Sequence, residues 1–167
     1  DLLRASIASS TNDPRLGANE VPPAIISVFV GKYLSEVLDE VEERVTGKFT
    51  EQDEVILKID IHKNIPELLI DNTDRNWISP FAFTGNKFEF RAVGSAQNIA
   101  SPALVINTIV AESIDELAEK IKAKDTKNIH QAVLEVLKDE ITYIKPVIFN
   151  GDNYSKEWEA EAGRRGL

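Results

Sequence analysis

The stretch DNTDRNWISPFAFTGNKFEFR at residues 71–91 constrains the fold more than any other part of this sequence. Two short runs, PFAF at residues 80–83 and KFEFR at residues 87–91, flank a Thr-Gly-Asn tripeptide, and tight hairpin loops favour glycine and asparagine. We therefore expect an antiparallel hairpin over residues 80–92. Any fold of this chain has to accommodate that hairpin.

Side chains alternate along the second run of the hairpin. Phe88 and Phe90 are expected on one face, and Lys87, Glu89 and Arg91 on the other, because successive side chains of a strand point to opposite faces. We expect the aromatic face to pack and the charged face to be free for chemistry. From the pattern alone, an edge hairpin whose polar face is only hydrated is the more ordinary interpretation.

Amphipathic helices account for much of the remaining sequence. Apolar residues recur at helical spacing over residues 32–45, 102–122 and 128–144, and Pro146 ends the last of these patterns. A continuously apolar run near residues 24–30 predicts a buried strand. The fold class is therefore expected to be α+β, with short antiparallel strands, namely the hairpin and this strand, packed against long helices.

The sequence after Pro146 contains a second set of local signals. Residues 147–149 are a short strand candidate, and Asn150-Gly151 is typical of a turn. Ser155 is a suitable cap for a final helix, which we expect Trp158 to anchor.

Composition excludes several classes of function. The chain has 19 Lys and Arg against 28 Asp and Glu, which gives a net charge of −9. Nucleic acid and anionic membranes are therefore poor partners, because they would be repelled by this charge. The absence of cysteine excludes a disulfide, a thiolate metal site and a thiol nucleophile. No signal peptide or membrane-spanning run is recognisable, so we expect a cytoplasmic chain. The absence of methionine indicates that the sequence is trimmed, excised or engineered.

Long blocks of this sequence resemble the catalytic domain of type III glutamine synthetases. They occur in the order of that family: RLGANEVPPAIISVF at residues 15–29, DNTDRN at 71–76, SPFAFTGNKFEFR at 79–91 and IFNGDNYSKEWEAEAGRRGL at 148–167. Between these blocks only length and composition fit. The resemblance implies that residues 1–167 are a single segment of that catalytic domain, with the N-terminal domain and the rest of the catalytic domain absent.

The resemblance also implies an activity. Such enzymes ligate ammonia to L-glutamate through a γ-glutamyl phosphate formed from ATP, with Mg²⁺ or Mn²⁺ neutralising the phosphate charge. The expected partners are therefore L-glutamate, ammonium and ATP in a homo-oligomer, dodecameric in the complete enzyme. Alone, the segment is expected to be inactive.

Site residues follow from matching positions in the family motifs. Glu89 is expected to ligate a divalent metal, Arg91 to contact glutamate or its phosphorylated carboxyl group, and Lys87 to lie toward ATP. Arg15 is expected to bind the carboxylate of glutamate. Glu20 is expected to lie on a mobile flap and to receive the ammonium proton.

One motif position departs from the family. Family members commonly carry R-N-R where this chain has Arg75-Asn76-Trp77, and an indole replaces neither the charge nor the donor fork of a guanidinium. We expect Arg75 to contact the nucleotide. Two other hypotheses stay open: a non-catalytic module that binds glutamate or nucleotide or serves assembly, and an engineered or excised scaffold derived from the enzyme.

Overall fold

The computed structural model describes residues 2–7, 25–44, 78–92, 97–124 and 128–167. Within these ranges the helices and strands, in chain order, are α1 (Leu2–Ile7), β1 (Val28–Phe29), α2 (Gly31–Arg44), β2 (Phe81–Phe83), β3 (Phe88–Phe90), α3 (Ala100–Lys122), α4 (Ile129–Ile144), a 3₁₀ turn (Lys145–Val147) and α5 (Lys156–Arg165). The α+β class and the three long helical patterns are confirmed.

The three strands form one sheet in the order β1-β2-β3. Strands β2 and β3 are antiparallel, with Ala82 opposite Glu89, so the predicted hairpin is confirmed. Strand β1 instead runs parallel to β2, with Phe29 opposite Ala82, and the expectation that all the strands are antiparallel was wrong. The physical reason is connectivity, because β1 leads directly into α2 instead of a tight turn, and parallel pairing requires such a crossover.

The segment after the 3₁₀ turn lies along the edge of β1 that is not paired with β2. Ile148 forms a single parallel bridge with Val28, and the Phe149 amide donates to the Val28 carbonyl oxygen at 2.9 Å. The strand candidate at residues 147–149 is thereby reduced to one bridge. The carboxyl-terminal part of the chain is nevertheless attached directly to the sheet that carries the hairpin.

Helix α3 is continuous from Ala100 to Lys122 and contacts both α1 and α4. Asn128 caps the start of helix α4, and its side chain accepts hydrogen bonds from the amides of His130 and Gln131. Lys120 of α3 donates to Glu140 of α4 at 2.5 Å. None of the helices in the described ranges is long and apolar enough to cross a membrane.

Trp158 anchors α5, as predicted, and is 2% exposed. Its ring stacks on Phe149 with centroids 3.7 Å apart and planes inclined by 5°. Its indole nitrogen donates to the Asn153 side chain at 3.0 Å, and the Arg165 guanidinium lies 5.3 Å from the ring centroid. Ser155 caps the helix by accepting from the Trp158 amide, which fixes where the ring enters the stack.

The Phe149 ring also explains why residue 151 is glycine. A Cβ atom at Gly151 would lie 2.7 Å from Cζ of Phe149, and the stacked indole of Trp158 prevents the ring from moving away. Gly151→Ala is therefore expected to lower the free energy of unfolding by about 1–3 kcal/mol. Urea denaturation followed by circular dichroism measures this change.

Gly163→Ala is the matched control for this substitution. Gly163 lies inside α5, and nothing lies within 4 Å of a Cβ atom placed there. Alanine at this position is expected to raise the free energy of unfolding by about 0.5–1 kcal/mol, because glycine costs more backbone entropy in a helix. Changes of the same sign in both variants would contradict the explanation.

An ion-pair cluster joins α2 to the end of α4. Glu42 accepts hydrogen bonds from Lys145 and from the Thr142 hydroxyl, and Asp39 lies 3.3 Å from the Lys145 ammonium. The hydrogen bonds from Lys145 and then Thr142 hold the pKa of Glu42 below its ordinary value of 4.5. Bonds to Glu42 and then Asp39 raise the pKa of Lys145 above 10.5.

These shifts predict a dependence of stability on pH. A depressed folded-state pKa means that Glu42 adds stability above its unfolded pKa of about 4.5, and that this stability is lost as the pH falls through the folded-state pKa. At the alkaline end, the contribution of Lys145 is complete below pH 10.5 and is lost as the pH rises through its raised pKa. Glu42→Gln is expected to lower the melting temperature near pH 7 and to have a smaller effect near pH 3.

The matched control is Glu36→Gln, which removes an exposed carboxylate of the same helix. Glu36 lies 3.8 Å from Lys32, and both side chains are mostly hydrated. The melting temperatures of all three proteins are compared by differential scanning calorimetry at both pH values. An equal loss of stability by Glu42→Gln near pH 3 and near pH 7 would show that the carboxylate charge is not the cause.

Candidate functional site

The charged side chains of the hairpin form one cluster. Glu89 lies between two cations, with Oε1 3.2 Å from Nζ of Lys87 and Oε2 3.4 Å from Nε of Arg91. The side chains of Glu89 and Arg91 are 28% and 34% exposed, whereas that of Lys87 is 64% exposed. The structure thus brings together three of the six side chains that the sequence predicted for a site.

Backbone hydrogen bonds on both sides of Glu89 fix its direction. Toward the loop, the Thr84 amide donates to the Lys87 carbonyl oxygen at 2.9 Å, and beyond β3 the Arg91 amide donates to the Pro80 carbonyl oxygen at 2.7 Å. Gly85 adopts φ 96°, a conformation that other residues rarely take, and so allows the tight loop. The cluster is therefore carried by a rigid two-stranded element.

The opposite face of the hairpin is aromatic, as predicted. The ring centroids of Phe81 and Phe88 are 5.4 Å apart, those of Phe83 and Phe88 are 5.3 Å apart, and those of Phe81 and Phe90 are 6.2 Å apart. These distances are in the range of favourable aromatic pairs. Phe88 is nevertheless 49% exposed, so the aromatic face is only partly covered.

The prediction that the charged face stands free needs correction. Directly opposed residues of neighbouring strands share a face, so Glu89 lies on the same side as Ala82 and Phe29. Ala82 is fully buried and forms a small core with Phe29 and Ile78. The physical reason is the register of the sheet, because Ala82 lies between Phe29 and Glu89 and the core forms on the face that these three residues share. The carboxylate of Glu89 therefore emerges at the edge of a hydrophobic core.

Two buried serine hydroxyl groups support this arrangement, and the sequence analysis missed them. Ser27 donates to Ser79 at 2.8 Å, and Ser79 donates to the carbonyl oxygen of Phe149 at 3.0 Å. Ser79 immediately precedes Pro80, whose carbonyl oxygen positions the Arg91 amide. The signal available in the sequence was the position of Ser79 within an otherwise apolar ISPFAF run.

Asn150 is a second supporting residue that the sequence analysis assigned only to a turn. Its Oδ1 accepts from the amides of Val30 and Gly31, both at 3.0 Å, and its Nδ2 donates to Ser35 at 2.8 Å. It therefore caps α2 from 119 residues away along the chain. The one hint in the sequence was that Val30, which precedes Gly31, cannot cap the helix with its side chain.

The remaining predicted site residues lie outside the described residues. Arg15, Glu20 and Arg75, and the departing residue Trp77, all belong to ranges that the structure does not describe. Their roles stay predictions.

Glu89 is chemically suited to be one ligand of a divalent cation. Carboxylate oxygens are the ligands that Mg²⁺ and Mn²⁺ prefer. The described part of the chain contains no group of three or more histidine, cysteine, aspartate or glutamate residues that holds a metal ion. Among the described residues, Glu89 is therefore a single carboxylate beside two cations suited to anionic substrates, and its role as a metal ligand stays a prediction.

Comparison with known proteins bears on the origin of this cluster. Residues 132–167 match the family model described as the glutamine synthetase C-terminal domain. A glutamine synthetase of Bacteroides fragilis (strain YCH46) is 50% identical over 175 residues, covering 100% of this chain and 23% of that protein.

Two further relatives give the same result. A type-3 glutamine synthetase of Dictyostelium discoideum is 46% identical, with 100% of this chain and 22% of that protein covered. A glutamine synthetase of Butyrivibrio fibrisolvens is 41% identical, with 99% and 23% covered. The chain thus spans less than a quarter of the length of the curated relatives it matches. Along its whole length the chain is homologous to one part of glutamine synthetases, and its resemblance to the type III family is confirmed.

Proposed function

We propose that this chain supplies one wall of the active site of an ATP-dependent glutamate–ammonia ligase. In that reaction, ATP phosphorylates the γ-carboxylate of L-glutamate, and ammonia then displaces the phosphate to give L-glutamine. The observation that carries the proposal is the Lys87–Glu89–Arg91 cluster on a rigid hairpin. Its support from homology is the alignment of the whole chain with glutamine synthetases.

The cluster suits the charge changes of phosphoryl transfer. Arg91 is held by Glu89 through Nε, so its guanidinium plane has a fixed orientation toward a carboxylate or phosphate group. Lys87 is the most exposed of the three and suits a phosphate group of ATP as a mobile point charge. Both residues act by orienting anions and by neutralising the charge that develops on them.

Glu89 has a second role in the proposal, as one ligand of Mg²⁺ or Mn²⁺. A bound divalent cation supplies charge neutralisation at the phosphate groups. Glu89 would hold the cation through a carboxylate oxygen, and Lys87 and Arg91 lie on either side of it, where they would face the same anionic groups.

Arg15, Glu20 and Arg75 complete the proposed set on the strength of the sequence motifs. Arg15 binds the carboxylate of glutamate, Glu20 receives a proton from ammonium, and Arg75 contacts the nucleotide. The remaining metal ligands come from outside this segment, and the complete enzyme is a homo-oligomer.

The experiment measures phosphate release from Mg-ATP by the complete polypeptide that carries this chain and by residues 1–167 alone. Omitting glutamate or ammonium in turn shows which substrates the release requires. We expect the complete polypeptide to require both and the isolated chain to release none, because its described part lacks a full metal site. Failure of the complete polypeptide to release phosphate in response to both substrates would contradict the proposal.

One observation favours a second candidate, a non-catalytic module that binds glutamate. Trp77 stands where the family commonly has a second arginine, and an indole carries no charge to stabilise a transferred phosphate. Glutamate binding by the complete polypeptide, measured by calorimetry, without ammonium-dependent phosphate release would select this alternative. Restoration of phosphate release by Trp77→Arg would show that the tryptophan had removed the activity.

A further inference from the structure

Helix α3 presents apolar side chains to solvent along most of its length. None of its residues is buried, although it is the longest helix in the described ranges. Leu104 is 70% exposed and Ile114 is 59% exposed, values typical of charged side chains and not of large aliphatic ones. Contacts with α1 and α4 leave this side of the helix uncovered.

The apolar residues on this side of the helix are spaced as in a helix-packing seam, with one polar residue among them. Successive positions are alternately four and three residues apart, a mean period of about 3.5 residues, which keeps them on one side of the helix. We call this set the α3 stripe, and its members are the apolar residues Ala100, Leu104, Ala111, Ile114 and Ala118 together with the polar Asn107. Leu104 and Ile114 project among smaller side chains, so the stripe offers both knobs and the spaces into which a second helix inserts its own.

Charge divides the surroundings of the α3 stripe into two halves. Between Ala100 and Ala111 the helix contains no charged residue. In the second half Glu119 is already paired with Lys122 at 2.8 Å, and Glu112 and Asp115 are exposed carboxylates. An occupant that fits therefore has an apolar face throughout and lysine or arginine beside the second half. A uniformly apolar surface leaves those carboxylates without counter-charges.

We propose that the α3 stripe docks an amphipathic helix from another part of the same polypeptide, outside residues 1–167. The relatives that match the whole chain are more than four times as long as the matched region, so most of such a protein lies outside it. A helix tethered in the same polypeptide has a high effective concentration and needs little contact energy to stay bound. The proposal depends on this length and on the exposed stripe, and is independent of the ligase activity.

The experiment places the photocrosslinking residue p-benzoylphenylalanine at Ile114 in the complete polypeptide. The matched control is the same residue at Glu116, which is exposed but lies on the opposite side of the helix. Leu104, in the uncharged half of the stripe, provides a second probe position. All three side chains are exposed, so the substitutions leave the described core unchanged.

After irradiation, crosslinked peptides are identified by mass spectrometry in a mixture of isotopically heavy and light protein. We expect probes at Ile114 and Leu104 to link to one basic amphipathic segment outside residues 1–167, within a single polypeptide, and the link to be lost with the Glu116 probe. Links between heavy and light chains would assign the stripe to a second copy and overturn the proposal. Links confined to residues 1–167, or no excess over Glu116, would also overturn it.

Discussion

In the complete polypeptide, Arg91→Ala is expected to lower kcat for ammonium-dependent phosphate release by at least about 100-fold, the usual effect of removing a donor that stabilises developing negative charge. The structure positions Arg91 by its backbone amide at Pro80 and by its side chain at Glu89. Glu89→Gln keeps the shape of the side chain and removes its charge. This variant is expected to raise the Mg²⁺ concentration needed for half-maximal activity.

The matched control uses an ion pair away from the hairpin. Lys32→Ala and Glu36→Gln remove an exposed pair on α2, and both are expected to leave kcat and the Mg²⁺ requirement unchanged. Arg91→Lys separates charge from geometry, because lysine supplies the charge without the planar donor fork. Unchanged kcat and an unchanged Mg²⁺ requirement in both Arg91→Ala and Glu89→Gln would show that the cluster is not part of the active site.

Trp158→Ala is expected to destabilise the chain by about 3–5 kcal/mol, the usual cost of deleting a buried aromatic side chain. The indole is almost fully buried, stacks on Phe149 and donates to Asn153. Its loss opens a cavity between α5 and the segment that bridges to β1. Urea denaturation followed by far-ultraviolet circular dichroism gives the free energy of unfolding without relying on tryptophan fluorescence.

Trp158→Phe is the companion variant, because it keeps an aromatic ring and removes the hydrogen-bond donor. Its expected cost is about 1–2 kcal/mol, from the lost hydrogen bond and the smaller ring. A cost below about 1 kcal/mol for Trp158→Ala would mean that the stack does not stabilise this part of the fold.

The elements that were predicted correctly are those determined by residues close together in the sequence. The hairpin follows from a Gly-Asn loop between alternating runs, and Lys87, Glu89 and Arg91 meet because a strand places every second side chain on one face. The parallel pairing of Val28 with Phe81 could not be predicted in this way. It depends on a crossover whose path no local pattern specifies.

The supports of the candidate site are the part that sequence reasoning missed. Ser79 meets Ser27 and Phe149, and Asn150 caps a helix that begins at Gly31, so each contact joins residues far apart along the chain. Contacts between distant residues also bury Ala82 against Phe29, and they place Glu89 on the same face of the sheet as this core.

The central claim, that the charged face of the hairpin faces the metal site of a ligase, is tested most directly by metal-directed cleavage. Fe²⁺ replaces Mg²⁺ in the complete polypeptide, and ascorbate with hydrogen peroxide then generates radicals that cut the backbone beside the bound metal. We predict a cut within residues 78–92 that Mg²⁺ suppresses and that Glu89→Gln weakens. Cuts that avoid this hairpin, in a protein that binds the metal and retains its fold, would contradict the claim.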